Sequence, residues 1–142
     1  MATHVLVPLD GSPQAWAAFE YALDEHPDAS VTLLSVINPM DAGYSAETAL
    51  PSAAEEWYES AKAAAGERFD EAADVAAARG VPIETVLEVG RPSATIVEYT
   101  EDNDVDVVVM GSHGRKGVSR ILLGSVAEAV VRRSPVPVTV VR

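Results

Sequence analysis

The chain has no cysteine in its 142 residues. Disulfides, thiolate catalysis and Cys-based zinc sites are therefore excluded, and the absence fits a reducing compartment. Histidines number three, and His4 and His26 have no neighbours at metal-ligand spacing. Only two of the ten basic residues are lysine, Lys62 and Lys116. No apolar stretch approaches the length of a membrane span, and MATHVLVPLD enters a strand-like run without a basic leader. The expected location is the cytoplasm, with no membrane partner. Base-poor composition also argues against nucleic acid. At a net charge of −12 the surface cannot displace counterions from a phosphate backbone. An acidic, Lys-poor, Ala-rich chain fits a salty cytoplasm, and it fits a biased genome composition equally.

What is present is a globular composition, with 48% hydrophobic and 23% charged residues and no low-complexity segment. The length suits one domain, residues 1–142. Short apolar runs alternate with helical patterns. HVLVPL reads as a first strand, followed by Ser12 as N-cap and Pro13 as first residue of a helix to about His26. VTLLSVI reads as the second strand. After a loop over residues 38–51, Ser52 and Glu55 form a capping-box pattern opening a long helix that Gly80 ends. On that helix Ala54, Tyr58, Ala61, Ala65, Phe69, Ala72 and Ala76 mark one small apolar face. PIETVLEV is the third strand, its Glu84 and Glu88 implying a less covered face. SATIVEYTEDN, DVVVM, SVAEAVVRRS and VPVTVV complete the series as helix, strand, helix and strand. Such alternation predicts an open, doubly wound α/β sheet of five parallel strands with helices on both faces. Ligands of such sheets bind beyond the carboxyl ends of the strands, where the strand order reverses. Trp16, Trp57 and the tyrosines read as packing residues.

Charge is distributed unevenly. Residues 1–110 hold 21 of the 22 acids and 4 of the 10 bases, so residues 111–142 form a cationic island whose one acid is Glu128. Within it lies GSHGRKGVSRILLGSVAE, Gly111 to Glu128, between a strand and a helix. Glycines ahead of a helix N-terminus let unpaired N–H groups approach an anion. Ser125 with Glu128 also forms a capping box, so its hydroxyl serves either the helix or a phosphate. Ile121, Leu122 and Leu123 read as anchors to the core, and Arg115, Lys116 and Arg120 as cations facing solvent or phosphate. The loop is not a Walker A sequence, since Lys116 precedes Gly117 rather than following the last glycine. PLDGSP after the first strand is not a GxGxxG fingerprint either.

The spacing Gly, two residues, Gly, nine residues, Gly-Ser, together with VPLDGS and PVPVTVV, closely resembles the ATP-binding class of the universal stress protein family. The resemblance covers essentially the whole chain. It implies a Rossmann-like sheet of strand order 3-2-1-4-5 and ATP, with Mg²⁺ or Mn²⁺, over its carboxyl edge. It places Leu9 and Asp10 near ribose and adenine and Val36 against adenine. Gly111, His113, Gly114 and Arg115 would meet ribose and triphosphate, and Gly124, Ser125 and Val126 the phosphates. Asp10 also reads as a plain Asp-Gly turn residue, and His113 as a solvent-exposed loop residue. Hydrolysis needs a positioned base, and none is identifiable beyond Asp10 and His113, so at most slow ATPase activity or autophosphorylation is expected.

The expected function is an ATP-dependent conformational or interaction switch in stress response; a nucleotide-independent dimeric adaptor is the alternative. A signalling receiver domain has the same alternation, but here strand one ends in a lone Asp10, strand three in VGRP and strand five in Arg142. The final strand, Val136 to Val141, has no acid to guard it and is expected at the sheet edge, pairing antiparallel with a second copy. The resemblance also implies dimers built on this strand. The triggering stress and the downstream protein partner leave no trace in the sequence.

Overall fold

In the computed structural model the described residues are 3–42, 51–113 and 123–142. The strands are β1 (His4–Pro8), β2 (Ser30–Ile37), β3 (Ile83–Val89), β4 (Val107–Gly111) and β5 (Val138–Val141), and the helices α1 (Pro13–Glu25), α2 (Pro51–Ala78), α3 (Pro92–Asp102) and α4 (Ser125–Arg133). A short 3-10 turn, Pro39–Ala42, follows β2. All strand pairings are parallel, in the order β3-β2-β1-β4-β5. The chain therefore builds outward from β1 through β2 to β3, then crosses back to lay β4 and β5 on the other side of β1. That reversal is the switch point of a doubly wound sheet.

Period-two alternation along buried strands gives each sheet face its own core. Val5, Val7, Leu9, Val31, Leu33 and Val109 face α1 and α2, packing on Phe19, Leu23, Ala72 and Ala76. Leu6, Leu34, Val108 and Met110 face α3 and α4, packing on Ile96, Val97, Ala127 and Val130. Trp16 lies edge-on to Phe19 at 6.0 Å between ring centroids.

Local signals explain most boundaries. Ser12 caps α1, its Oγ accepting from the Ala15 N–H at 3.1 Å, with Pro13 at the first helical position. Gly80 ends α2 with φ +68°, and the Val81 N–H reaches back five residues to the Ala76 carbonyl at 3.1 Å. This is the helix-ending bond pattern for which a left-handed glycine is suited. The alanine stripe of α2 divides along its length. Ala65, Ala72 and Ala76 are buried, Tyr58, Ala61 and Phe69 half-buried, and Ala54 exposed, so the C-terminal half is the part pressed on the sheet.

Three expectations need correction. The long helix begins at Pro51, so Ser52 lies inside its first turn and does not cap it. The cap of α4 is Gly124, in extended conformation with no side-chain bond, so Ser125 is already helical and makes no capping box. The fifth strand begins at Val138. Pro137 has no N–H for the ladder, although its carbonyl still accepts from the Val108 N–H at 3.0 Å. Val136 is held instead by Ser134, whose Oγ donates to the Val136 carbonyl at 2.8 Å and accepts from its N–H at 3.1 Å.

Candidate functional site

Each strand ends where its backbone stops finding ladder partners, and on the carboxyl side these ends leave a cleft of about 800 Å³. Its floor comes from Leu9, Leu34, Val36, Ile96 and Met110, and its rim from Asp10, the 3-10 turn and the starts of α3 and α4. Of the ten site residues expected from sequence, Gly114 and Arg115 lie outside the described residues. The other eight, Leu9, Asp10, Val36, Gly111, His113, Gly124, Ser125 and Val126, all line this one cleft. They come from four separate stretches of chain, brought together because β1 lies between β2 and β4.

Leu9 is fixed on both sides. Its N–H donates to the Leu34 carbonyl at 2.9 Å, and its carbonyl accepts from the buried Ser35 hydroxyl at 2.5 Å. Asp10 holds the turn into α1, one carboxylate oxygen accepting from the Ser12 N–H at 2.9 Å. This turn role engages one oxygen of a residue that lines the cleft wall.

The segment after β4 is closed at its base. The Ser112 N–H donates to the Val141 carbonyl at 2.8 Å, and the Gly124 N–H to the Ser112 carbonyl at 2.7 Å. Gly124 thus sits opposite Ser112, and α4 starts immediately beyond it. Its N-cap Gly124 makes no side-chain bond, and Ser125, Val126 and Ala127 of the first turn line the cleft, so the positive end of the helix dipole lies on the cleft wall.

Gly111 has a packing role that spacing did not reveal. A Cβ there would stand 2.7 Å from Gln14 Cβ and 2.8–2.9 Å from the Gln14 backbone, so the glycine lets α1 approach β4. His113 is not the solvent-exposed residue that was one of its two readings. It is 7% exposed, its Nδ1 lies 3.1 Å from Ser112 Oγ, and its buried Nε2 has no hydrogen-bond partner among the described residues. Nε2 is enclosed by protein, so the ring belongs to the packed wall of the cleft.

Several lining residues were not anticipated. Asn38 shapes the rim, its Oδ1 accepting from the Met40 N–H at 3.0 Å and its carbonyl from the Asp41 N–H at 2.9 Å. The Asn-Pro pair at 38–39 carries that turn signal. Arg91 and Arg133 also line the cleft. Trp57 lines a neighbouring cavity of about 300 Å³ with Arg68 and Ser60. Among the described residues no three His, Asp, Glu or Cys side chains converge as a metal cage. No helix among them is long and apolar enough to cross a membrane.

A parallel doubly wound sheet with a cleft at its switch point and a helix start on the cleft wall defines the doubly wound α/β class. The universal stress protein family model matches residues 1–142, and the chain belongs to that family. A putative universal stress protein of Staphylococcus saprophyticus, SSP1056, is 35% identical over 142 residues, covering 97% of this chain and 82% of the relative. The solved structure of MJ0577, a universal stress protein of Methanocaldococcus jannaschii, superposes with a TM-score of 0.86 at 29% identity, covering 99% of this chain and 96% of that one. A universal stress protein solved in complex with cAMP gives a TM-score of 0.71 at 28% identity, covering 99% and 97%.

Proposed function

We propose that this universal stress protein is a cytoplasmic, ATP-binding regulatory protein in which the bound nucleotide acts as a conformational or interaction switch in stress response. The observation that carries the reading is the convergence of Leu9, Asp10, Val36, Gly111, His113, Gly124, Ser125 and Val126 on one cleft. The apolar floor suits a base, and the start of α4, with glycine as its N-cap, suits phosphate. The relative solved with cAMP supports a nucleotide as the class of ligand. Leu9 and Val36 would meet the base and Asp10 the ribose. Gly124 would let the phosphates approach, and the α4 donors from Ser125 and Val126 on, with Gly114 and Arg115, would hold them.

Mg²⁺ or Mn²⁺ would arrive on the triphosphate, since phosphate-borne cations need few protein ligands and Asp10 has a carboxylate oxygen beyond the one that holds the turn. Asp10 is engaged in a turn and His113 is buried, so neither is arranged as a free base toward solvent. That favours a switch over rapid hydrolysis, with slow ATPase activity as the lesser reading.

Titration calorimetry tests the proposal on protein stripped of nucleotide. Micromolar ATP affinity, about −8 kcal/mol, is expected. Substituting valine at Gly114 and Gly124 should abolish it while the fold persists. No heat with ATP and Mg²⁺ would leave the nucleotide-independent adaptor as the better reading.

A further inference from the structure

β3 is an edge strand of seven residues, and its register fixes which of its backbone groups are already used. The Val31 N–H donates to the Pro82 carbonyl at 3.3 Å, and the Gly90 N–H donates to the Ile37 carbonyl at 2.9 Å. In a parallel ladder a residue turns its N–H and C=O to the same side, and successive residues alternate sides. Glu84, Val86 and Glu88 therefore bond to β2, while Ile83, Thr85, Leu87 and Val89 turn both backbone groups outward. Among the described residues no other hydrogen bond reaches these outward groups. No proline interrupts the strand, and Thr85 and Val89 are exposed, Val89 to 52%.

The side chains sort by the same alternation. Val86 packs against the core under α3 and α4, so Glu84 and Glu88, two positions to either side, share its face. Both carboxylates raise the Tyr99 phenol of α3, which places them on that side of the sheet. Both are exposed, and neither has an ion-pair or hydrogen-bond partner among the described residues. At roughly 3.3 Å per residue they stand about 13 Å apart. Thr85, Leu87 and Val89 take the other face. Carboxylates on an edge discourage most strands. They oppose a second β3 above all, since antiparallel pairing about Val86 sets Glu84 of each copy opposite Glu88 of the other. A strand with two cations four positions apart, and apolar side chains between them, turns both repulsions into attractions.

We infer that the β3 edge is a docking site for an extended basic segment of a partner protein, which adds as a further strand with its lysine or arginine side chains on Glu84 and Glu88. Main-chain bonds to Thr85 and Leu87 supply the affinity, and the two carboxylates supply the selectivity. The inference makes no use of the nucleotide cleft and stands apart from it.

The probe is a capped peptide, Gly-Ser-Lys-Val-Thr-Val-Lys-Ser-Gly, whose order reads the same from either end and so suits a parallel or an antiparallel register. One control replaces both lysines with glutamate. The other keeps the lysines and puts three prolines between them, which preserves the charge and removes the central N–H groups. Amide exchange followed by NMR on the full chain at physiological salt is the readout. At saturation the probe should slow exchange of the Thr85 and Leu87 amides about tenfold or more, while those of Glu84, Val86 and Glu88, already in the ladder, change little. Neither control should do so. The Glu84→Gln, Glu88→Gln double variant should bind the probe about fivefold or more weakly and unfold near the parental midpoint. Thr85→Pro, which removes an outward N–H and no bond to β2, should also weaken binding. Failure of the probe to bind would overturn the inference. Equal binding of the proline control, or binding that leaves Thr85 and Leu87 unprotected, would reduce the effect to the acidity of the whole chain and overturn it as well.

Discussion

At the scale of single residues, the structure separates glycines and hydroxyls that serve packing from those free to serve a ligand. Gly111→Ala would drive a methyl into Gln14 at the α1–β4 contact, where both partners are backbone-anchored. Its cost should be roughly 1–3 kcal/mol in urea unfolding. An unchanged midpoint would mean that α1 shifts freely. Tyr99 offers a test by pH. Burial raises its phenol above the ordinary range, and Glu84 and Glu88 push the same way against a hydrogen bond with Thr32 that lowers it. The folded state therefore holds its proton longer than the unfolded chain. Below the ordinary tyrosine value, about 10, both states are protonated and the group contributes no pH dependence. As pH rises from there through the folded value, the unfolded state binds fewer protons and stability falls. Tyr99→Phe should flatten that alkaline decline, measured as unfolding midpoints between neutral pH and the alkaline limb.

At the scale of elements, the two helix starts that flank the cleft's central strand are built differently. Ser12 caps α1 with its side chain, whereas α4 begins at Gly124 with no side-chain bond and Ser125 already in the helix. Ser12→Ala should therefore cost about 1 kcal/mol, while Ser125→Ala should stay within about 0.5 kcal/mol. If Ser125 meets phosphate, that nearly silent variant will still lose ATP affinity by calorimetry. A stability loss equal to that of Ser12→Ala would restore the capping role to Ser125. These helices also show what was legible in the sequence. Ser-Pro at 12–13 and the glycine at 80 mark their boundaries by chemistry that acts within a few residues, and the apolar runs state the strands by composition. Gly124 displaced Ser125 as cap because the Gly124 N–H is tied to Ser112 across the loop, a constraint set by tertiary structure. Arg91 and Arg133 could not be grouped beforehand. They stand 42 positions apart, and it is the fold, not local sequence, that brings both to the cleft lining.

At the scale of the whole molecule, the sheet has two edges of opposite character, and the contrast bears on assembly. The β3 edge exposes Glu84, Thr85 and Glu88, charges that discourage pairing with another strand. The β5 edge, Val138 to Val141, carries three valines and a threonine, all half-buried, with no charge inside the strand. Its inner register is used by β4, from Val108↔Val138 to Gly111↔Val141, which leaves the outer N–H and C=O groups of a short apolar strand for another partner. Val131 on α4, 45% exposed, extends the apolar character of this end of the molecule. Two copies meeting antiparallel about a two-fold axis would satisfy both edges with one self-complementary surface. Because the strand begins only after Pro137, the shared ladder should centre on Thr139 and Val140. Such a dimer would also tie the two clefts together, since the Val141 carbonyl holds Ser112 beside the Gly124 start of α4. Val140→Asp and Thr139→Pro should each convert a dimer to monomer or aggregate by light scattering. The monomer, where it stays folded, should bind ATP with altered affinity. A dimer that persists in both variants would place the interface elsewhere, and a monomeric parent protein would remove the edge-pairing proposal altogether.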